Sequence, residues 1–202
     1  MWSLIQAAGW PIWPLIFASI VALALIFERL WSLRQSVVAP TGMVDRVLVD
    51  FRQTGATPEL LARTASQGPL GRILAAGLAN VKAPRPVMKE AIEEVGRVVT
   101  HDLDRFLTTL GTIAAMSPLL GLFGTVVGMI EIFGSQSSTA SNPIQLAQGI
   151  SIALYNTAMG LIVAIPSMIF YRFFRSKVDS LIIEMESQAV KLVEILHGER
   201  TH

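Results

Sequence analysis

Three apolar runs without a charged residue stand out along the chain. They cover Pro11–Phe27, Phe106–Ile130 and residues 149–171. Each is close to the length of about 20 residues that a helix needs to cross the hydrocarbon core of a bilayer. The pattern predicts an all-α membrane protein with three transmembrane helices.

The composition agrees with this prediction. Hydrophobic residues make up 52% of the 202 residues and charged residues 15%, and the mean hydropathy is +0.54. A soluble domain of this length is normally less apolar. With a net charge of +1 and no dense cluster of Lys or Arg, we expect no nucleic-acid partner, because a phosphate backbone requires many basic contacts. The first ten residues carry no positive charge, so we expect the first run to remain in the mature protein.

The basic residues predict the orientation of the three helices. All 16 Lys and Arg lie in two regions, eleven between Arg29 and Arg105 and five from Arg172 onwards. The positive-inside rule places both regions in the cytoplasm. The N-terminus and the loop after the second helix are therefore predicted to lie outside, and the C-terminus in the cytoplasm.

This orientation divides the chain into six predicted segments. They are an N-terminal segment with the first transmembrane helix (1–31), a cytoplasmic helical region (32–105), the second transmembrane helix (106–131), a periplasmic loop (132–142), the third transmembrane helix (143–171) and a cytoplasmic C-terminal helix (172–202).

Turn and cap signals divide the cytoplasmic region into short helices. Thr57-Pro58-Glu59 has the pattern of an N-cap, a proline at the first helical position and an acid in the first turn. From Pro86 to about Phe133 the pattern predicts one long helix that enters the second span.

After the third span, apolar residues recur at spacings of three and four and form a coiled-coil-like seam. We expect the second and third transmembrane helices to continue into a cytoplasmic helical bundle; the alternative is a surface helix packed only on its own chain. The seam residues are Val178, Ile182, Met185, Ala189, Leu192 and Leu196.

Small residues recur in the second and third runs but not in the first. Lipid provides no hydrophobic drive for helix association, so membrane helices associate through small residues that let backbones approach. The first run is bulky and aliphatic, as expected of a helix that faces lipid. The residues predicted to pack the second and third helices are Gly121, Gly124, Gly128, Gly149, Gly160, Pro118 and Pro166.

Two threonines are predicted at a similar depth in the membrane. Thr125 lies six residues before Glu131, and Thr157 lies five residues into the third span if about 20 residues are counted back from Arg172. A layer of hydroxyls at one depth suggests a pore. The alternative is that each threonine only bonds the carbonyl four residues earlier or a neighbouring helix.

Further polar residues flank Thr157. Asn156, Tyr155 and Ser151 are candidates for pore lining or for helix contacts. Glu131 either attracts cations to an entrance or is a carboxylate solvated at the interface.

Enzyme chemistry has little support in the sequence. The three runs contain no Asp, Glu, Lys, Arg or His, and a threonine hydroxyl does not titrate in a useful range. The sequence has no cysteine and no glycine-rich phosphate loop, and His101, Asp102 and Asp104 lie in a charged helix. We expect no enzymatic activity, no cofactor and no metal site.

Two motifs carry a family resemblance that covers nearly the whole chain. The run PLLGLFGTVVGM from Pro118 to Met129 resembles the second-span motif of the ExbB/TolQ/MotA proton-channel family. The run GISIALYNTAMGLIVAIP from Gly149 to Pro166 resembles its third-span motif, and the pattern is most similar to the ExbB branch.

The resemblance implies a subunit of a motor in the bacterial inner membrane. Five copies would surround two helices of an ExbD-like single-span partner, whose membrane aspartate carries the proton. The two pore threonines of the family correspond to Thr125 and Thr157. Proton flux would then energise a TonB-like protein for transport across the outer membrane.

One position departs from the family pattern. ExbB and TolQ members commonly have Glu five residues before the third-span threonine, and this chain has Ile152 there. A proton-relay role for the third helix is therefore in doubt, and so is the branch of the family. A TolQ- or MotA-like stator, or a scaffold that holds an oligomer without conducting, remain the alternatives.

Overall fold

The computed structural model describes residues 9–135 and 143–198, and within them it contains eight helices and no strand. The helices are α1 (Ile12–Ser32), α2 (Gln35–Val38), α3 (Met43–Thr54), α4 (Pro58–Ala65), α5 (Pro69–Ala79), α6 (Arg85–Asp104), α7 (Leu107–Ser135) and α8 (Pro143–Leu196).

Three helical stretches are long and apolar enough to cross a membrane. They are Ile12–Ser32, Arg85–Gly134 and Gly149–Leu196. The predictions of an all-helical chain and of three membrane-spanning helices are therefore confirmed for the described residues.

The chain forms two compact units. The membrane unit comprises Met1–Glu28 and Phe106–Phe173, and the bundle unit comprises Arg29–Arg105 and Phe174–His202. Helices α1 and α8 each contribute residues to both units.

Within the membrane unit, α1 has one buried and one exposed face. The buried positions follow spacings of three, seven and four residues, as expected for one stripe of a helix; they are Ile12, Leu15, Ala22 and Ile26. The exposed large side chains are Trp13, Phe17, Ile20, Leu23 and Phe27.

The long helix predicted from Pro86 to Phe133 is present as one helical stretch, Arg85–Gly134, which a two-residue turn at 105–106 divides into α6 and α7. Helix α6 ends at Asp104 and α7 begins at Leu107. In the bundle unit the buried Arg29 guanidinium donates from Nη1 to the Leu103 carbonyl at 3.2 Å. This hydrogen bond lies next to the turn at 105–106, where a carbonyl can accept from a side chain.

Helix α7 also continues further than predicted at its other end. It extends to Ser135, so residues 132–135 of the predicted periplasmic loop are helical. Residues 136–142 of that loop lie outside the described residues.

In the bundle unit, the predicted cap of α4 is present. Thr57 has extended backbone angles, its Oγ1 accepts from Leu60 N at 3.3 Å, Pro58 is the first helical residue and Glu59 is in the first turn. This satisfies one of the amide groups that a helix start leaves without a partner.

The predicted seam of α8 lies in the core of the bundle unit. Val178, Met185, Ala189 and Leu192 are buried, while Ile182 and Leu196 are half-buried. Leu192 packs over Gly77 of α5. Residues of the same chain therefore cover this seam.

Candidate functional site

Helices α7 and α8 of the membrane unit come into backbone contact at two glycines. A Cβ atom on Gly121 would lie 2.8 Å from the Asn156 carbonyl oxygen and 3.2 Å from Gly160 Cα. A Cβ on Gly160 would lie 2.6 Å from the Ser117 carbonyl oxygen. Any larger residue would force the two backbones apart, so glycine sets the distance between the helices.

The contact continues along both helices beyond this crossing. A Cβ on Gly124 would lie 2.9 Å from Asn156 Cβ, and one on Gly128 would lie 3.3 Å from Ala153 Cβ. As residue numbers rise along α7, those of its partners on α8 fall. The two helices are therefore antiparallel, and small residues line their contact.

This register brings the two predicted threonines together. Thr125 Oγ1 and Thr157 Oγ1 lie 2.5 Å apart, within hydrogen-bond distance. Thr125 Oγ1 is also 3.1 Å from the Gly121 carbonyl oxygen and 3.2 Å from that of Ala153. Both side chains are half-buried. The backbone bond within the helix, considered above as an alternative, thus coexists with a contact between the helices.

The other predicted polar residues of α8 have different surroundings. Asn156 is buried, and its side chain packs against Gly124. Tyr155 and Ser151 are exposed, and the structure does not bring them to the threonine pair.

The remaining packing predictions lie along the same two helices. Gly149 faces Ile132, whose Cδ1 would lie 2.6 Å from a Cβ there. Pro118 is half-buried and Pro166 is exposed, and both lie inside helices that continue past them.

Sequence reasoning missed two buried serines in this contact region. Ser117 and Ser167 are almost fully buried, and each donates to the carbonyl four residues earlier. Ser117 stands four residues before Gly121, which itself precedes Gly124 by three residues and Gly128 by seven. Including serine in the search for small residues at helical spacing would have identified it.

No acidic or basic side chain of the apolar runs accompanies the threonine pair. The runs lack Asp, Glu, Lys, Arg and His, and Glu131, just beyond the second run, is exposed. The pair can accept and donate hydrogen bonds, but a hydroxyl does not store a proton near neutral pH.

The carboxylates of the His101–Asp104 stretch form ion pairs within the bundle unit. Asp102 accepts from Arg72 Nη1 at 2.8 Å and Asp104 accepts from Arg175 Nη1 at 3.1 Å. The hydrogen bond from Arg72 lowers the pKa of Asp102 below its usual value. Among the described residues, no group of three His, Asp or Glu side chains is arranged to hold a metal ion.

Residues 65–187 match the MotA/TolQ/ExbB proton channel family. The chain belongs to this family. The matched region includes the whole of α7 and most of α8, so the threonine pair and the glycine contact lie inside it.

Relatives within the family carry both ExbB and TolQ names. The chain is 35% identical over 176 residues to the putative biopolymer transport protein ExbB-like 3 of Synechocystis sp. The alignment covers 85% of this chain and 83% of the relative. It is 32% identical over 171 residues to biopolymer transport protein exbB1 of Vibrio cholerae, and this alignment covers 81% of this chain and 74% of the relative. It is 28% identical over 219 residues to the Tol-Pal system protein TolQ of Pseudomonas aeruginosa, and this alignment covers 98% of this chain and 92% of the relative.

These matches confirm the resemblance drawn from the two motifs. Together with the three apolar helices, membership of this family makes the chain a multi-pass membrane subunit of a complex linked to the proton-motive force.

Proposed function

We propose that the chain is an ExbB-like proton-channel and stator subunit of a motor in the bacterial inner membrane. It assembles as a homo-oligomer, a pentamer by family resemblance, around an ExbD-like single-span partner. Proton flux through this complex energises a TonB-like protein for transport across the outer membrane. The names of its relatives, which include biopolymer transport proteins, support this assignment.

The threonine pair is the observation that carries the proposal. Thr125 and Thr157 meet at 2.5 Å in a part of the protein whose apolar runs have no Asp, Glu, Lys, Arg or His. Hydroxyls can solvate a moving proton but do not store it, so a carboxyl from another chain has to carry it. The ExbD-like partner supplies that carboxyl as a membrane aspartate.

The orientation follows from the distribution of charge. The positive-inside rule places the bundle unit in the cytoplasm and the N-terminus outside. The electrical part of the proton-motive force then supplies about 2.3 kcal/mol per proton for each 100 mV. The proposal includes no enzymatic activity and no cofactor.

Proton flux into vesicles tests this function. The chain is reconstituted with its ExbD-like partner, and the uptake of protons is measured after a pH gradient is imposed. We expect Thr157→Val to reduce flux by about tenfold or more, because it removes a hydroxyl and keeps the shape of the side chain. Thr112→Val is the matched control: its hydroxyl is exposed in the same unit and bonds only the Thr108 carbonyl.

A non-conducting scaffold is the second candidate, favoured by the glycine contact, which could serve assembly alone. It predicts a tight complex that shows no flux, and no response when the partner's aspartate is changed to asparagine. Flux that depends on both Thr157 and the partner's aspartate excludes it.

A TolQ- or MotA-like stator is the alternative within the family, supported by the match to TolQ over 98% of this chain. Imposing H⁺ and Na⁺ gradients separately identifies the ion. Energised uptake through a TonB-like protein in cells then separates the ExbB role from the other two.

A further inference from the structure

Counting hydrogens at the threonine pair limits how the two hydroxyls can point. Thr125 Oγ1 has one hydrogen and three oxygen neighbours: two carbonyl oxygens, which only accept, and Thr157 Oγ1. If Thr125 donates to Thr157, both carbonyl oxygens face lone pairs and neither contact is a hydrogen bond. If Thr157 donates to Thr125, the hydrogen of Thr125 serves a carbonyl and Thr157 is also satisfied.

The second arrangement makes more hydrogen bonds and avoids repulsion between oxygens. It also explains an unusual feature of Thr157. A threonine inside a helix commonly donates to the carbonyl four residues earlier, which for Thr157 is that of Ala153. Here Thr125 of the other helix lies at that carbonyl instead, at 3.2 Å, and the hydroxyl of Thr157 contacts Thr125.

From this geometry we propose that Thr125 is a positioning residue that holds the hydroxyl hydrogen of Thr157 inward, so that Thr157 presents only lone pairs to a visiting group. Such a site accepts a hydrogen bond from a protonated carboxylic acid and offers none to a carboxylate. It selects the proton-loaded form of the carrier. This inference rests on the proposed function, in which a partner's carboxyl visits the site.

Titratable groups of the chain near this site are few. Between Phe106 and Ile130 and between Gly149 and Tyr171, the only ones are Tyr155, which is exposed, and Tyr171 at the far end of its run, which packs on Gly111. Glu131 follows the second run and is exposed. The Pro11–Phe27 run has no titratable residue. The orientation of the Thr157 hydroxyl is therefore the local feature that distinguishes the two forms of the carrier.

A double-mutant cycle on proton flux tests whether Thr125 acts through Thr157. Flux is measured for the complex with the partner and for Thr125→Val, Thr157→Val and the double variant. If Thr125 acts through Thr157, we expect Thr125→Val to lower flux severalfold alone and to have no further effect when Val is present at 157. Thr125→Ser restores the hydroxyl and should restore flux. Size-exclusion chromatography confirms that each variant assembles, and Thr125→Ala replaces a valine variant that does not.

The pH dependence of flux tests the orientation of the hydroxyl. With Val at 125, the hydrogen of Thr157 can bond either the Ala153 carbonyl or the visiting carboxylate, and the bond to the carboxylate is favoured because charge-assisted bonds are about twice as strong as neutral ones. The carboxylate then gains stability and its proton is lost more easily. We expect the pH of half-maximal flux, at fixed membrane potential, to fall by about half a unit or more. Thr125→Ser should keep the wild-type midpoint.

The outcomes separate this inference from the proposed function. If the wild-type complex conducts no protons, the proposed function fails and the inference fails with it. If the wild type conducts but the two valine effects multiply, Thr125 contributes independently and the inference is overturned. An unchanged midpoint in Thr125→Val, or a serine variant that behaves like the valine variant, overturns it as well.

Discussion

In the membrane unit, α7 and α8 meet through glycines, whereas the helices of the bundle unit meet through large aliphatic side chains. Gly121 and Gly160 bring two backbones into direct contact. In the bundle unit the residues that are almost fully buried include Leu70, Leu74 and Leu192. The same chain therefore uses two ways of packing helices.

The surroundings of each unit explain the difference. Lipid tails are as apolar as leucine, so burying a leucine between membrane helices gains little, and close backbone contact becomes the main source of attraction. In water, burial of apolar surface drives association, at about 25 cal/mol per Å². Gly71 is an exception in the bundle unit, since a Cβ there would overlap the Thr64 carbonyl oxygen. Its helix follows α4 after a short turn, which forces the two backbones together.

The largest effect is expected when the bundle unit loses a large buried side chain. Leu192 is fully buried, so Leu192→Ala should reduce the free energy of unfolding by about 2–5 kcal/mol through lost burial and a cavity. Ile183→Ala on the same helix is the control, because Ile183 is 66% exposed. Chemical unfolding in detergent measures both. Equal effects would show that burial of large side chains does not stabilise this unit.

Replacing one glycine by alanine in each unit tests the difference in helix packing between the membrane unit and the bundle unit directly. Gly160→Ala places a Cβ 2.6 Å from a backbone carbonyl, which should cost about 1–3 kcal/mol as the helices separate. At Gly77 the nearest atoms are the ends of the Ile92 and Leu192 side chains, at 3.1 Å, and these can move. Gly77→Ala should be nearly neutral, because alanine favours helix by about 1 kcal/mol.

Thermal unfolding of Gly160→Ala and Gly77→Ala in the same detergent measures the stability of the two variants. Gly134→Ala supplies a third reference in α7, where a Cβ would meet nothing within 4 Å. A Gly160→Ala variant as stable as Gly134→Ala would contradict glycine's role in setting the distance between α7 and α8.

Short helices in water should depend on their caps more than long membrane helices do. Thr57→Ala removes the acceptor for Leu60 N at the start of the eight-residue α4 and should cost about 1 kcal/mol. Thr57→Ser keeps the acceptor and should retain most of that stability. Amide hydrogen exchange in α4 provides the measurement. If the amides of α4 exchanged as fast in Thr57→Ser as in Thr57→Ala, loss of the cap could not be the cause of the faster exchange.

The smallest expected effect is the acid sensitivity of the bundle unit at Asp102. The hydrogen bond from Arg72 lowers the pKa of this carboxyl from its ordinary value of 3.8. Its contribution is therefore present above 3.8 and is lost as pH falls through the lower pKa of the folded state. Asp102 is exposed, so salt should weaken the effect.

Melting temperatures of the wild type and Asp102→Asn, measured from about pH 6 to about pH 2.5, test this linkage. We expect the wild type to lose its small advantage over the variant at the acid end of the range. A constant difference between the two across the range would mean that the Arg72–Asp102 pair does not stabilise the folded state.

Much of the local structure follows from short patterns in the sequence. The three charge-free runs predicted three membrane helices, and Thr57-Pro58-Glu59 predicted the start of α4, because helix length and cap chemistry depend only on neighbouring residues. The turn at 105–106 between α6 and α7 was not predicted. Next to it the Leu103 carbonyl accepts from Arg29, which is 74 positions away in the sequence, and no local pattern indicates such a contact.

The sequence by itself determined that the apolar runs have no Asp, Glu, Lys, Arg or His and that small residues recur on the second and third runs, and it predicted two threonines at similar depths. Only the tertiary structure decided that Thr125 and Thr157 touch, and that the Ala153 carbonyl lies beside Thr125. Positions along one helix are fixed by its rise of 1.5 Å per residue. The register between two helices is set by which side chains let their backbones approach, and here Gly121 and Gly160 set it.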